Sequence, residues 1–323
     1  MFLVGFTPVM ASADTRVIYV SNAGDDTNDC LGESSPCKTI EAGLALMREG
    51  YPDHILLKRG DTWRAPADKF YWLDRQLFSG RSLSEPAVMS FYGSEGNRPR
   101  IEKAGGAFYR GDKYILRNFQ FIGLEFASYK MELDHPEFTG AHSDTAGFDF
   151  VGGSENILIE NCIFNRSEIS VQRYDSNNDG IEDHSINLSI RRNIFTGTYV
   201  NTSSFSRDHR PSNMFIANTE GLLIEENVID MAGWNPDVEG AGANQLNHGI
   251  YLQFGQDGNG IIVRNNIFTR CSSHGLQARS GGLVEDNFFA RNSIGFMLGY
   301  HQSSLAGGEQ AIGRNNIVSG SSI

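Results

Sequence analysis

Two triplets, His248-Gly249-Ile250 and His274-Gly275-Leu276, share one pattern inside apolar, strand-like segments. An imidazole titrates near neutral pH, so a histidine recurring at one position of a repeat is a candidate general base. Tyr251 and Gln253 follow the first histidine, Gln277 and Arg279 the second, and Tyr300 and His301 stand just beyond a third such segment. If these segments are stacked strands, equivalent residues lie about 4.8 Å apart and their polar side chains gather on one face. That set suits β-elimination from a uronate. Arg279 neutralises the carboxylate, His248 or His274 removes the C5 proton, and Tyr251 protonates the leaving oxygen or lines the groove. Gln253, Gln277, Tyr300 and His301 are candidate substrate contacts. Arg207, Arg210 and Trp234 lie in insertions that would wall the groove, with Trp234 stacking on a sugar ring; a solvated connector explains the same letters.

The coils that carry the histidine triplets hold no lysine, which counts against a lysine base there. All six lysines, at 38, 58, 69, 103, 113 and 130, precede the histidine triplets. Hydrolysis would need two acids roughly 5–9 Å apart. The candidates Asp149, Asp208, Asp230, Asp237 and Glu239 form no paired motif.

The elements that position these residues form a repeat. Ile159-Glu-Asn-Cys-Ile-Phe164 returns as Ile190-Arg-Arg-Asn-Ile-Phe195, Ile224-Glu-Glu-Asn-Val-Ile229, Val263-Arg-Asn-Asn-Ile-Phe268, Val284-Glu-Asp-Asn-Phe-Phe289 and Gly313-Arg-Asn-Asn-Ile-Val318. Leu116-Arg-Asn-Phe-Gln-Phe121 is a weaker first member, which puts Phe119 and Cys162 ahead of Asn193, Asn227, Asn266, Asn287 and Asn316 in one column. The units are short, β-branched and alternating, so they read as strands. Irregular spacing fits a solenoid with loops inserted into some turns. The asparagine column is expected at a turn, in left-handed conformation, each side-chain amide bonding to the next. Of 25 asparagines, 21 fall from Asn156 onward, as a repeated turn requires.

The fold class expected is all-β, a parallel β-helix solenoid. Residues 14–112 would form an N-terminal cap and first coils, and 113–323 the coils with loop insertions. A capping helix is expected over 37–49, where Ile40, Leu44 and Met47 fall at helical spacing. Residues 1–13 end in Ala-Ser-Ala and read as the remnant of a secretory signal peptide. Cys30 and Cys37 would pair in an exported protein, and Cys162 and Cys271 read as buried thiols. The last repeat reaches Ile323 with no polar cap, which favours a C-terminally truncated fragment.

Tyr19-Val-Ser, Pro36-Cys-Lys-Thr-Ile40, Ile55-Leu-Leu-Lys-Arg-Gly-Asp-Thr62, Tyr92-Gly93 and Arg98-Pro-Arg-Ile101 resemble secreted right-handed parallel β-helix proteins of the pectate-lyase-like superfamily. The resemblance implies a secreted, carbohydrate-active protein, with lyases, hydrolases, epimerases and non-catalytic adhesins all on this fold. Its His-Gly-Ile tripeptide is similar to that of uronan C5-epimerases, in which a histidine abstracts the same proton. A lysine base, used by some lyases of the fold, has no counterpart in these coils. The expected partner is an acidic polysaccharide. A net charge of −12 argues against nucleic acid, and no run is long and apolar enough to span a bilayer.

Asp175, Asn177, Asp179 and Asp183, with Gly180, fall at positions 1, 3, 5, 9 and 6 of a calcium loop, although position 12 is Ile186. An Asx-rich turn explains the same letters. Calorimetry separates the two: a calcium loop gives a heat of Ca²⁺ binding and a higher melting temperature, and a turn gives neither.

Overall fold

A computed structural model describes residues 14–65, 78–111, 115–171, 184–201, 210–253, 260–299 and 310–320. The expected leader at 1–13 lies outside these residues, as does the calcium-loop sequence with Asp175, Asn177, Asp179 and Asp183. Three parallel sheets of 10, 9 and 7 strands, here A, B and C, contain the described strands. The chain passes from A to B to C and back to A, a course that fits a right-handed parallel β-helix. One coil consists of Ser154–Glu160 in sheet A, Ile163–Asn165 in sheet B and Glu168–Val171 in sheet C.

Alternation decides which side chains fill the solenoid. Ile157, Ile159, Phe164, Ile169 and Val171 point inward and are buried. Because every strand is in register with its equivalents, like packs on like. Phe164 stacks on Phe195 with ring centres 4.6 Å apart, and Phe268 on Phe289 at 4.7 Å.

The turn from A to B carries the asparagine ladder. Asn227 Oδ1 accepts from the backbone N–H of Asn193 at 2.9 Å, and its Nδ2 donates to the Ile190 carbonyl at 2.9 Å. Asn266, Asn287 and Asn316 repeat both bonds in the coils that follow. The left-handed residue is not the ladder asparagine but the one before it: Asn161, Arg192, Glu226, Asn265, Asp286 and Asn315 have φ between 54° and 57°. A two-residue turn needs one positive φ to reverse direction, and the next residue then turns its amide into the stack. A second ladder, Asn118, Asn156 and Asn187, runs within sheet A through bonds of 2.8 and 2.9 Å.

The first member of the repeat is corrected. Phe119 pairs in register with Ile157 inside sheet A. The residue equivalent to Cys162 is Leu124, whose carbonyl accepts from Ile163 as the Cys162 carbonyl accepts from Ile194. Both are apolar, so the amide ladder starts only at Asn193, which caps the Cys162 N–H at 2.8 Å.

The N-terminal helix is shorter than its periodicity suggests. It covers Ile40–Leu44, with the Thr39 side chain accepting from the Ala42 N–H. A Cβ on Gly43 would lie 2.7 Å from Val20 and 2.8 Å from Ile55. That close approach seats one helical turn against the first two sheet A strands, and a cap spanning 37–49 is not formed. Cys30 and Cys37 form the expected disulfide. Cys162 and Cys271 are buried free thiols, and burial pushes both up to about 12.

Long connections leave sheet B for sheet C at 129–146, 197–213 and 231–249. All three join through Met131, Tyr199 and Ala241, which are buried together, and the Tyr199 hydroxyl donates to the Met131 carbonyl at 2.7 Å.

Adjacent asparagines give opposite expectations. Asn265 has φ 56°, which glycine adopts without strain, so Asn265→Gly leaves the melting temperature nearly unchanged. Asn266→Ala strips the Asn227 N–H of its acceptor and the Ile224 carbonyl of its donor, and destabilises by about 2–3 kcal/mol. Denaturant unfolding of the two variants measures the difference.

Candidate active site

The histidines stand at the mouth of sheet C, where β1 (Met214–Ala217), β2 (Ile250–Gln253), β3 (His274–Ala278) and β4 (Ile294–Leu298) lie side by side. Tyr251 pairs with Phe215 on one side and Gln277 on the other, and Gln277 pairs with Met297. These residues form one outward row.

Strict alternation would turn His248 inward with Ile250, away from Tyr251. Yet the two rings are 5.2 Å apart. The glycines account for this. A Cβ on Gly249 would lie 2.9 Å from the buried Cys271 thiol, and one on Gly275 3.0 Å from the Phe289 ring. Both glycines therefore face the core, and so do Ile250 and Leu276 behind them. Pairing passes from His274 with Ile294 directly to Leu276 with Phe296. Two successive inward residues, the glycine and the apolar residue after it, break the alternation and re-aim the histidine. Only glycine fits there, because its Cβ position is already filled by the next coil.

The result is a close imidazole pair. His274 Nδ1 and His248 Nδ1 are 3.3 Å apart, and the Ser273 hydroxyl is 3.0 Å from His274 Nδ1. The Ser212 hydroxyl accepts from the His248 N–H at 3.3 Å. The guanidinium of Arg279 lies 5.4 Å from the Tyr251 ring centre. His248 is buried and His274 half-buried. Burial, followed by the charges of His274, Arg279 and Arg210, pushes His248 down to about 3. Burial and then Arg279 lower His274. Burial raises the Tyr251 phenol, and Arg279 and Arg210 partly offset it. Both imidazoles are thus neutral and the phenol protonated at neutral pH.

His248, His274, Tyr251, Gln277, Arg279 and the exposed Arg210 therefore come together. Gln253 ends β2, in register with Ala217. Trp234 is committed elsewhere: its indole N–H donates to the Arg270 carbonyl at 2.6 Å, on the turn from sheet B to sheet C. Arg207, Tyr300 and His301 lie outside the described residues. Of the acids, Asp208 lies outside them too, Asp230 is ion-paired with Arg270 on sheet B, and Asp237 and Glu239 line a separate cleft with Phe138 and Asn201. Among the described residues no group of three or more His, Cys, Asp or Glu is arranged to hold a metal ion.

Sequence reasoning missed Ser212, Ser273 and Glu168, and it places Phe215 inward, whereas Met214 and Ile216 fill the core and Phe215 joins the outward row. Glu168 precedes Ile169, whose register partner Phe148 is followed by Asp149. Burial first, and then the Asp149 charge, pushes the Glu168 carboxyl up to about 8. Its signal in the sequence was its position, one residue ahead of an inward column.

No protein-family model matches this chain, and no curated protein matches it. Among solved structures it is similar to a GH136 lacto-N-biosidase from Eubacterium ramulus at 13% identity and TM-score 0.40, over 94% of this chain and 68% of that one. A rhamnogalacturonan lyase is similar at 13% identity and TM-score 0.46, over 93% and 87%. The pectate lyase Pel9A is similar at 14% identity and TM-score 0.38, over 97% and 79%. The assignment of this chain to the parallel β-helix fold stands on its own three sheets.

Proposed function

We propose that this chain is an exported carbohydrate-active protein that cleaves a uronate-containing polysaccharide by β-elimination at the outer face of sheet C. The observation that carries this is the pair of neutral imidazoles 3.3 Å apart, flanked by Tyr251 and Arg279. The Cys30–Cys37 disulfide supports export.

In this mechanism the uronate carboxylate meets Arg279 and Arg210, which stabilise the charge that develops as C5 is deprotonated. His274, the more exposed imidazole, is the base. When its Nδ1–H points to the Nδ1 lone pair of His248, its Nε2 is the basic atom. The C5–H electron pair becomes the C4=C5 double bond, the C4–O bond breaks, and the Tyr251 hydroxyl protonates the leaving oxygen. His274 then carries one extra proton, which it returns to solvent or to the tyrosinate. Substrate also strengthens the base: its carboxylate offsets the arginine charges that hold both imidazoles down.

A second reading, glycoside hydrolysis, is favoured by Glu168, which is protonated at neutral pH beside the Asp149 charge. The two readings give different products. Screened over alginate, pectate and glycosaminoglycans, elimination yields an unsaturated uronate with its ultraviolet absorbance, which His274→Gln lowers by about 10²–10⁴-fold and Glu168→Gln leaves in place. New reducing ends without that absorbance, lost in Glu168→Gln, would support hydrolysis and overturn elimination. Binding with neither product would make the chain a carbohydrate-binding or adhesive β-helix.

The pH profile follows from the directions of the shifts. A lowered histidine pKa keeps the base neutral below its ordinary value near 6.5, and activity is lost only as pH falls through the lowered value. A raised Tyr251 pKa keeps the proton donor protonated at high pH. kcat/KM therefore has its acid limb below pH 6.5 and its alkaline limb above the ordinary tyrosine value near 10. A half-maximal point at 6.5 would show a histidine with no such burial.

A further inference from the structure

Phe215 stands where the core gains nothing from it. It occupies the outward row of sheet C, in register with Ser170 on one side and Tyr251 on the other, and it is only half-buried. Its neighbours inward along the strand, Met214 and Ile216, fill the solenoid instead. Its ring meets the Tyr251 ring edge-on, at 5.6 Å between centres and 70° between planes. Tyr251 in turn touches His248. The outward row thus runs from an aromatic hydrocarbon surface into the catalytic cluster across one strand spacing, about 4.8 Å, which is close to the length of one pyranose unit.

We propose that Phe215 is the floor of the sugar subsite next to the cleavage point, where the C–H-rich face of a pyranose stacks on the ring, so that the polysaccharide runs along the solenoid axis. This rests on the sheet C groove being the substrate site. The chemistry fits: a pyranose offers an apolar face of ring hydrogens, and an aromatic ring that is already desolvated on one edge binds it at little cost in side-chain freedom. Phe215 carries no charge, so this subsite reads the face of the sugar and not its carboxylate. Arg279, which follows β3 two coils on and reaches over the Tyr251 ring, takes the carboxylate.

The test is Phe215→Ala with Phe215→Tyr as its control, both checked for an unchanged melting temperature. Phe215→Ala raises KM for the polymer about tenfold with kcat held within about twofold, and Phe215→Tyr restores KM, as expected when an aromatic ring is the contact. The same variants are placed in a His274→Gln background, and polymer binding is measured by calorimetry, with the same tenfold loss and rescue expected. Equal affinity in Phe215→Ala and its parent would overturn the subsite while leaving elimination standing. A tenfold loss of binding in a protein that forms no unsaturated product would uphold the subsite and overturn elimination.

Discussion

Every property of this molecule depends on vertical register: each residue is hydrogen-bonded through its strand to its equivalents in the coils above and below. Register at this pitch forces like positions together, so a column must tolerate its own repetition. Asparagine tolerates it because its Oδ1 accepts from and its Nδ2 donates to the backbone of the preceding coil, while Nδ2 also donates to the Oδ1 of the next asparagine, satisfying backbone groups that the turn would otherwise bury unpaired. Phenylalanine tolerates it by stacking. A charged column tolerates it only by alternating, and the chain does this: Glu160, Arg191, Glu225, Arg264, Glu285 and Arg314 are register partners in turn. Half-exposed pairs of this kind contribute about 0–1 kcal/mol each. Their consequence is specificity, since a slip by one residue would set every arginine beside a hydrophobic position.

Columns that repeat a letter are visible in a sequence, which is why the solenoid, the asparagine ladder and the inward rows of sheets A and B were legible. Legibility failed where a column changes letter or an element breaks the pattern. Leu124 and Cys162 occupy the ladder position without an amide, so the motif match slid to Phe119. The left-handed residues escaped notice because Arg192, Glu226 and Asp286 share no chemistry; what they share is a backbone angle. The helix expected over 37–49 stops at Leu44, because packing against Val20 and Ile55, which a sequence period does not encode, holds a single turn.

The candidate site shows the same division. His248 and His274 were found from a repeated triplet, but counting alternate residues does not bring His248 to Tyr251. The glycine between histidine and isoleucine is what does so, and its reason lies in the next coil: the carbonyl of Gly275 is 2.4 Å from where a Gly249 Cβ would be. A lone glycine in a strand says only that some close approach exists. Phe215 escaped because phenylalanine fills the core in neighbouring sheet C strands, as Phe148 and Phe150 do, so its type points inward where its register does not.

Register also explains the electrostatics of the site. Stacking one imidazole on another 3.3 Å away in Nδ1 separation allows at most one charge between them. Adding Arg279 and Arg210 nearby makes even that charge unfavourable until an anion arrives. A sheet that repeats histidine thus holds two imidazoles uncharged at neutral pH, and an anion placed beside them would raise their affinity for a proton. In bulk water the same two histidines would be half-protonated near pH 6.5 and largely screened from such an anion. The stacking of half-buried strands is what makes the proton affinity of these histidines depend on neighbouring charge.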